Sequence, residues 1–167
     1  MMALENKIEA YNLPQGVISH MYRDIAAHKI GTITHVGLYT FVDPRNGGGK
    51  LNSATTEDIV KIVNIEGQER LLYKSFPINV VFVRGSYADE YGNCTVHHEI
   101  GPIDVTAMAQ ACRNSGGKVI VQVEKVVQGG TLDPKLVAIP GIYVDAVVIG
   151  SAEDNMQCLG TPYDGSL

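Results

Sequence analysis

No stretch of this 167-residue sequence approaches the ~18 consecutive apolar positions of a membrane-spanning helix, so no membrane partner is expected. Glu5, Lys7 and Glu9 fall where a secretory leader needs an unbroken apolar core, and secretion is not expected either. Cysteine is scarce: Cys94, Cys112 and Cys158 are an odd number with no C-x-x-C spacing, which fits reduced thiols and a cytoplasmic location better than a disulfide framework. Positive charge is in deficit, with 13 Lys and Arg against 18 Asp and Glu and a formal net charge of -5. A general nucleic-acid binder shows a basic patch or stripe, so no nucleic-acid partner is expected. Internal repeats, low-complexity tracts and recognisable linkers are missing as well.

What is there suits a globular domain: 45% of the residues are hydrophobic and 19% charged. A chain of this length can bury roughly two-thirds of its unfolded surface. Pro14 in a first helical turn, with Asn12 as cap, precedes Val17, Met21, Ile25 and Ala26 at helical spacing; this predicts an amphipathic helix to about His28, stopped by Gly31. A strand is expected over 32–40, and Thr55 or Thr56 should cap a short helical piece with Glu57 and Asp58 at its positive end. Segments 62–65 and 70–73 flank Glu66-Gly67 as a hairpin. Segment 78–83 is apolar on both faces apart from Asn79, the pattern of a strand covered on both sides in a parallel sheet. A turn over 88–93 and a short strand over 94–98 follow. A second helix begins at Pro102, with Val105, Met108, Ala109 and Cys112 on its apolar side and Gly116 at its stop. Strands over 118–127 and 143–149 complete the pattern. The alternation predicts one α/β unit over 1–167, a mostly parallel sheet with flanking helices.

The stretch Val36–Asn52 draws the most attention, because three consecutive glycines, Gly47, Gly48 and Gly49, stand between Arg45 and Lys50. Glycine loses the most backbone entropy on folding, so either the chain turns there at positive φ or something approaches the backbone closely. Arg45 and Lys50 suit an anionic ligand, and equally suit plain solvent exposure. A nucleotide phosphate loop is excluded, since Pro44 and Leu51 replace its required Gly and Ser or Thr. Gln15-Gly16 opens the first helix, whose free N–H groups either hold a carboxylate or are simply capped. Arg84 ends the buried strand and is a further binding candidate. Gln122 and Glu124 share one strand face: they belong either to a ligand crevice beyond the strand ends or to a hydrogen-bonded structural pair. Cys94-Thr95-Val96-His97-His98-Glu99 offers neither strand face three ligands, so it predicts no metal site, and solvated histidines in a hairpin strand are expected instead.

Asp43-Pro44-Arg45-Asn46-Gly47-Gly48-Gly49-Lys50 resembles a segment of the family I CoA-transferases, in the acetate and propionate branch. Similar in the same order are Glu5–Gly16, Arg84-Gly85-Ser86-Tyr87-Ala88-Asp89-Glu90 with Gly92-Asn93, Asn114-Ser115-Gly116-Gly117, and Ile139-Pro140-Gly141-Ile142-Tyr143-Val144-Asp145. The similarity weakens after about Asp154, and Tyr39 departs from it where the family has glycine. The resemblance implies the fold these transferases share with sugar-phosphate isomerases, here in part. It implies coenzyme A or acyl-CoA and a short-chain carboxylate as substrates, with no permanently bound cofactor. The family's nucleophile is a glutamate in a Glu-x-Gly context in the second half of the polypeptide. No glutamate of this sequence matches that context, so no catalytic residue is assigned. The resemblance therefore implies an internal fragment of the first domain, from a truncated frame or split gene, with the catalytic second domain and the opening strands absent. Such a chain is expected to associate with the rest of the enzyme or a partner subunit, to form homo-oligomers, and to be inactive alone. Another enzyme on the same scaffold, or a noncatalytic subunit or binding module, is the alternative. Gln15, Gly16, Arg45, Gly47, Gly48, Gly49, Lys50, Arg84 and Glu124 are the candidates for substrate or CoA binding.

Overall fold

Residues 1–151, 153–155 and 164–165 are described in the structure, a computed structural model; Cys158 lies outside them. The chain divides into two units, Met1–Phe76 and Pro77–Leu167, where the sequence pattern predicts one. The boundary joins two consecutive residues, so no Gly- or Ser-rich linker marks it.

In the first unit, α1 (Gln15–Ala26) buries Val17, Met21 and Ile25, one residue per turn along a single stripe. Pro14 itself occupies the capping position in extended conformation, so Asn12 stands too early to cap. The helix ends before Gly31. His28 turns to φ 55° and the Lys29 amide returns to the Asp24 carbonyl at 2.9 Å, a left-handed helix stop made without glycine. Strands β1 (Gly31–Thr34), β2 (Val60–Ile65) and β3 (Gln68–Lys74) form an antiparallel sheet in the order β1-β3-β2. Glu66 and Gly67 join β2 to β3 at φ 51° and 79°, the two-residue turn whose twist matches that of the strands. Leu71, Tyr73, Val60 and Val42 are buried.

Of two further expected elements, one is cut short and one does not form. The strand over 32–40 stops at Thr34, because Gly37 (φ 99°) and Tyr39 (φ 65°) turn the chain out of extended conformation. No helix occupies 55–58. There the buried Thr55 hydroxyl accepts the Ala10 amide at 2.7 Å and donates to the Ala10 carbonyl at 3.1 Å, tying two loops together.

The second unit contains β4 (Val80–Arg84), β5 (Tyr87–Asp89), β6 (Cys94–Thr95), α2 (Val105–Asn114), β7 (Lys118–Val123), β8 (Lys125–Val127), β9 (Val137–Ile139) and β10 (Ala146–Ile149). β10, β7 and β4, in that order, make a parallel sheet, and β8-β5-β6-β9 a mixed one. The fold is thus α/β, with its three-stranded parallel sheet in this unit. Val119, Val121 and Val123 of β7 are fully buried and pack with Val83, Ala109 and Cys112. Gly116, at φ 78°, stops α2 as its position predicts.

Several boundaries differ from the periodic pattern. Tyr87–Asp89 pairs as a strand where only a turn is expected, and the strand over 94–98 ends at Thr95. The strand over 118–127 breaks at Glu124, so that β7 and β8 enter different sheets. The last strand starts at Ala146, after a 3₁₀ turn at Gly141–Tyr143. The segment that reads as covered on both faces is covered on one, and Phe82 is 76% exposed.

Candidate functional site

The glycine bend is required by the backbone. Gly47, Gly48 and Gly49 have φ values of 116°, 64° and 76°. Their amides are engaged within the bend: Gly48 N–H donates to the Asp43 carbonyl and Gly49 N–H to the Phe41 carbonyl, each at 3.1 Å. The bend is therefore no open nest of N–H groups for a phosphate.

Its charges are engaged too. Asp43 is completely buried and accepts from Arg45 Nε at 2.9 Å and Nη2 at 2.7 Å, and from the amides of Tyr39 at 2.9 Å and Arg45 at 3.0 Å. The Arg45 side-chain bonds, aided by the two amides, outweigh burial and hold this carboxyl well below its ordinary range. Arg45 also reaches Glu69 at 3.3 Å and lies 5.1 Å over the Tyr39 ring. A cation that the sequence offers to an anion is already held by two carboxylates. Lys50 pairs with Asp58 at 2.6 Å and donates to the Thr56 carbonyl at 3.0 Å. Gly47, Gly48 and Lys50, with Asp58 and Lys61, line a surface cavity of about 570 Å³. Lys61 carries no pattern signal, because it is one exposed residue of an edge strand.

Tyr39 stands where the resemblance leads one to expect glycine. It holds a left-handed φ of 65° that glycine adopts freely, and Arg45 lies over its ring. Tyr39→Gly should relieve about 1 kcal/mol of backbone strain while losing the ring contact. The expected outcome is an unfolding midpoint in urea close to that of the parent chain; a large drop would mean that the ring, not the backbone, governs this position.

At the start of α1, Gln15 and Gly16 are exposed. Gly16 lines a second cavity of about 600 Å³ with His20, Asp24 and Thr32 among its walls. A Cβ at Gly16 would meet nothing within 4 Å, so packing within this chain does not demand glycine there. Asp24 is held by Lys29 and Thr32, each at 2.7 Å.

The second unit gathers its polar groups beyond the carboxyl ends of β4 and β7, where open α/β sheets place ligands. Arg84 Nη2 lies 3.2 Å from Glu99 and 2.9 Å from the Asn155 carbonyl. Gln122 donates to the Asp154 carbonyl at 3.0 Å and to Asn155 Oδ1 at 3.2 Å. Both Glu124 oxygens stand 3.1 Å from His98 Nδ1. His98 also meets the rings of Tyr87 and His97 edge-on, with centroids 5.0 and 4.2 Å away. Burial, and then the neighbouring His98, lower the pKa of His97. Of the two histidines expected to be solvated, His97 is exposed but His98 is not, its side chain being 13% exposed. Strand alternation concealed the His98–Glu124 contact because it was applied past Thr95, where the strand has ended. Among the described residues, no three of His, Cys, Asp and Glu gather as a metal cluster, and no helix is long and apolar enough to cross a membrane.

The candidates thus fall into three places. Arg45, Gly47, Gly48, Gly49 and Lys50 lie at the bend and Gln15 and Gly16 at the start of α1, all in the first unit; Arg84 and Glu124 lie in the second.

Residues 2–150 match the family model for Coenzyme A transferase. Over 156 residues the chain is 53% identical to a caffeate CoA-transferase of Acetobacterium woodii, which covers 93% of this chain and 29% of that protein. Over 148 residues it is 46% identical to the acetate CoA-transferase YdiF of Escherichia coli, covering 89% of this chain and 28% of YdiF. The solved Escherichia coli YdiF in a thioester complex with CoA aligns with a TM-score of 0.91 and 43% identity, over 98% of this chain and 32% of that one. The chain spans less than a third of the length of these relatives. Sequence and fold agree through both units, and the chain belongs to the Coenzyme A transferase family.

Proposed function

We propose that this chain is part of an enzyme that moves coenzyme A between short-chain carboxylic acids of the acetate and propionate type. The attacking glutamate comes from polypeptide outside the chain. The observation that carries this reading is the 46% identity to an acetate CoA-transferase over 89% of the chain. The glutamate carboxylate attacks the acyl-CoA carbonyl and expels the CoA thiolate, leaving a mixed anhydride. The thiolate then attacks the glutamyl carbonyl, releases the first acid as carboxylate, and leaves a glutamyl-CoA thioester. A second carboxylate reverses the sequence and departs as its acyl-CoA. This chain contributes scaffold and part of the substrate pocket wall, with the α1 start and the glycine bend as the first unit's candidates and Arg84 and Glu124 as the second unit's, each taken by itself. Binding of the remote parts of CoA against such walls assists the reacting carbonyl.

The higher identity to a caffeate CoA-transferase, 53%, favours a second reading in which the acid is an aromatic acrylate. One experiment separates the two. The chain replaces the matching segment of the Acetobacterium woodii enzyme, and the graft is assayed for CoA exchange among acetate, propionate and caffeate. Exchange with the two short acids and a protein mass increased by CoA supports the proposal; exchange with caffeate alone selects the second reading. A folded graft that transfers to none overturns both, and exchange by the isolated chain overturns the placing of the glutamate. In the same graft, Glu124→Gln should retain an exchange rate close to the parent, since the amide oxygen still accepts from His98. Loss of exchange at an unchanged unfolding midpoint would instead put Glu124 at the reacting groups.

A further inference from the structure

Tyr39 combines two features that packing within the chain does not explain. It is 75% exposed, so a large ring is left mostly in water. Its backbone holds φ 65°, where a bulky side chain is an outlier. Exposure alone would carry no message. Tyr91 is 71% exposed, but its ring leans on Gly129, where an added Cβ would lie 2.5 Å from it, and its φ is not positive. Since Tyr39→Gly is expected to leave the unfolding midpoint near that of the parent, the Tyr39 side chain returns little to the fold for its strain. Strained residues that their surroundings hold in place cluster at ligand sites.

The surroundings do hold this one. The Tyr39 amide donates to the fully buried Asp43 carboxylate at 2.9 Å. The Arg45 guanidinium lies over the ring, 5.1 Å from its centroid. That guanidinium is itself clamped, by Asp43 at 2.9 and 2.7 Å and by Glu69 at 3.3 Å. Both the backbone and one face of the ring are therefore fixed before any ligand arrives, which lowers the ordering cost of binding. The opposite face is open to a further flat layer. Two carboxylates already match the Arg45 charge, so an anion gains little there. A neutral planar ring gains most, since rings stack offset on tyrosine without needing a hydrogen-bond partner.

We infer that the outer face of the Tyr39 ring is a stacking platform for a planar aromatic ring of the substrate. The inference rests on the proposed function for the source of that ring. A CoA thioester brings adenine, and an aromatic acrylate brings its own ring. Acetate and propionate bring none. Where the resemblance leads one to expect glycine, this contact is absent, so Tyr39 tunes substrate affinity and takes no part in the acyl transfer itself.

Steady-state kinetics of the graft into caffeate CoA-transferase test it, with Tyr39 compared with Tyr39→Gly and Tyr39→Phe. Acetyl-CoA is set against acetyl-pantetheine, which lacks adenine, and caffeate against propionate. Tyr39→Gly should raise KM about tenfold for a substrate that carries the ring, with kcat and the KM of its ring-free counterpart unmoved. Tyr39→Phe should keep the parent KM. A rise for acetyl-CoA alone assigns the platform to adenine, and a rise for caffeate alone assigns it to the acid; either supports the inference. No rise for any substrate overturns it. An equal rise for all four means that Tyr39 only shapes the bend, and overturns it too, as does a Tyr39→Phe variant that behaves like Tyr39→Gly. A folded graft that transfers no CoA removes the functional reading and leaves binding to decide. The chain has no tryptophan of its own, so Tyr39→Trp adds one whose emission is compared with that of the parent graft. Quenching by CoA or caffeate but not by pantetheine keeps the platform; quenching by none of them removes it. If the graft does not fold, tyrosine and glycine placed in turn at the aligned position of intact caffeate CoA-transferase give the same outcomes.

Discussion

Replacing Asp43 by alanine is expected to destabilise the chain by about 3 kcal/mol, because it removes a fully buried carboxylate that accepts two backbone amides and the Arg45 fork. Asp43 is the only buried partner of the Arg45 fork among the described residues, and it also receives the amides of Tyr39 and Arg45. Its loss strands two N–H groups inside the bend, each an unsatisfied donor. Urea unfolding followed by circular dichroism measures the effect; a loss under about 1 kcal/mol would show that the pair behaves as a surface salt bridge. The pH dependence has a fixed sign. The folded-state pKa of Asp43 lies below its ordinary 3.8, chiefly through its side-chain bonds to Arg45. A depressed carboxyl stabilises the fold above its unfolded pKa, and that contribution disappears as pH falls through about 4 and lower. The parent chain should lose stability over this acid range, and Asp43→Asn should show a shallower slope there while being weaker at neutral pH.

Gly49→Ala is expected to destabilise the same bend by about 2–3 kcal/mol, more than Gly48→Ala at about 1 kcal/mol. Both positions have left-handed φ, so both substitutions add strain. Only at Gly49 would the new Cβ also meet a backbone atom, the Asn12 carbonyl oxygen, at 2.8 Å. That oxygen cannot retreat cheaply, because the Asn12 amide donates to the Gly49 carbonyl at 2.8 Å and the two segments are tied. At Gly48 the nearest atom is Pro44 Cα at 3.9 Å. Equal losses in the two variants would mean that φ alone governs the bend. The comparison separates the two reasons for three adjacent glycines, and the structure shows both at Gly49.

The elements legible in the sequence were those decided by neighbours along the chain. The α1 stripe of Val17, Met21 and Ile25 follows from helical spacing, and the β2–β3 turn from Glu66-Gly67. That 78–83 lies in a parallel sheet was expected from its apolar pattern, though its partner β7 was not, nor its single covered face. Asp43 carried a local signal as well, an Asp before Pro whose side chain accepts the Arg45 amide, as such turns do. Membership of the CoA-transferase family was also visible in the order of the matching segments, since descent is recorded residue by residue.

The tertiary structure decided which partner each polar group takes. Arg45 meets Glu69 across 24 residues, and His98 meets Glu124 across 26, and no periodicity links such positions. Arg45 therefore reads as a free cation in the sequence and is an engaged one in the fold. The break at Glu124 and the bare face around Phe82 arise in the same way, because coverage depends on what other segments of chain bring to a surface. Backbone conformation is set by local sterics and spacing, which one sequence records. Burial and charge pairing are set by what distant segments bring together, and only the folded chain shows it.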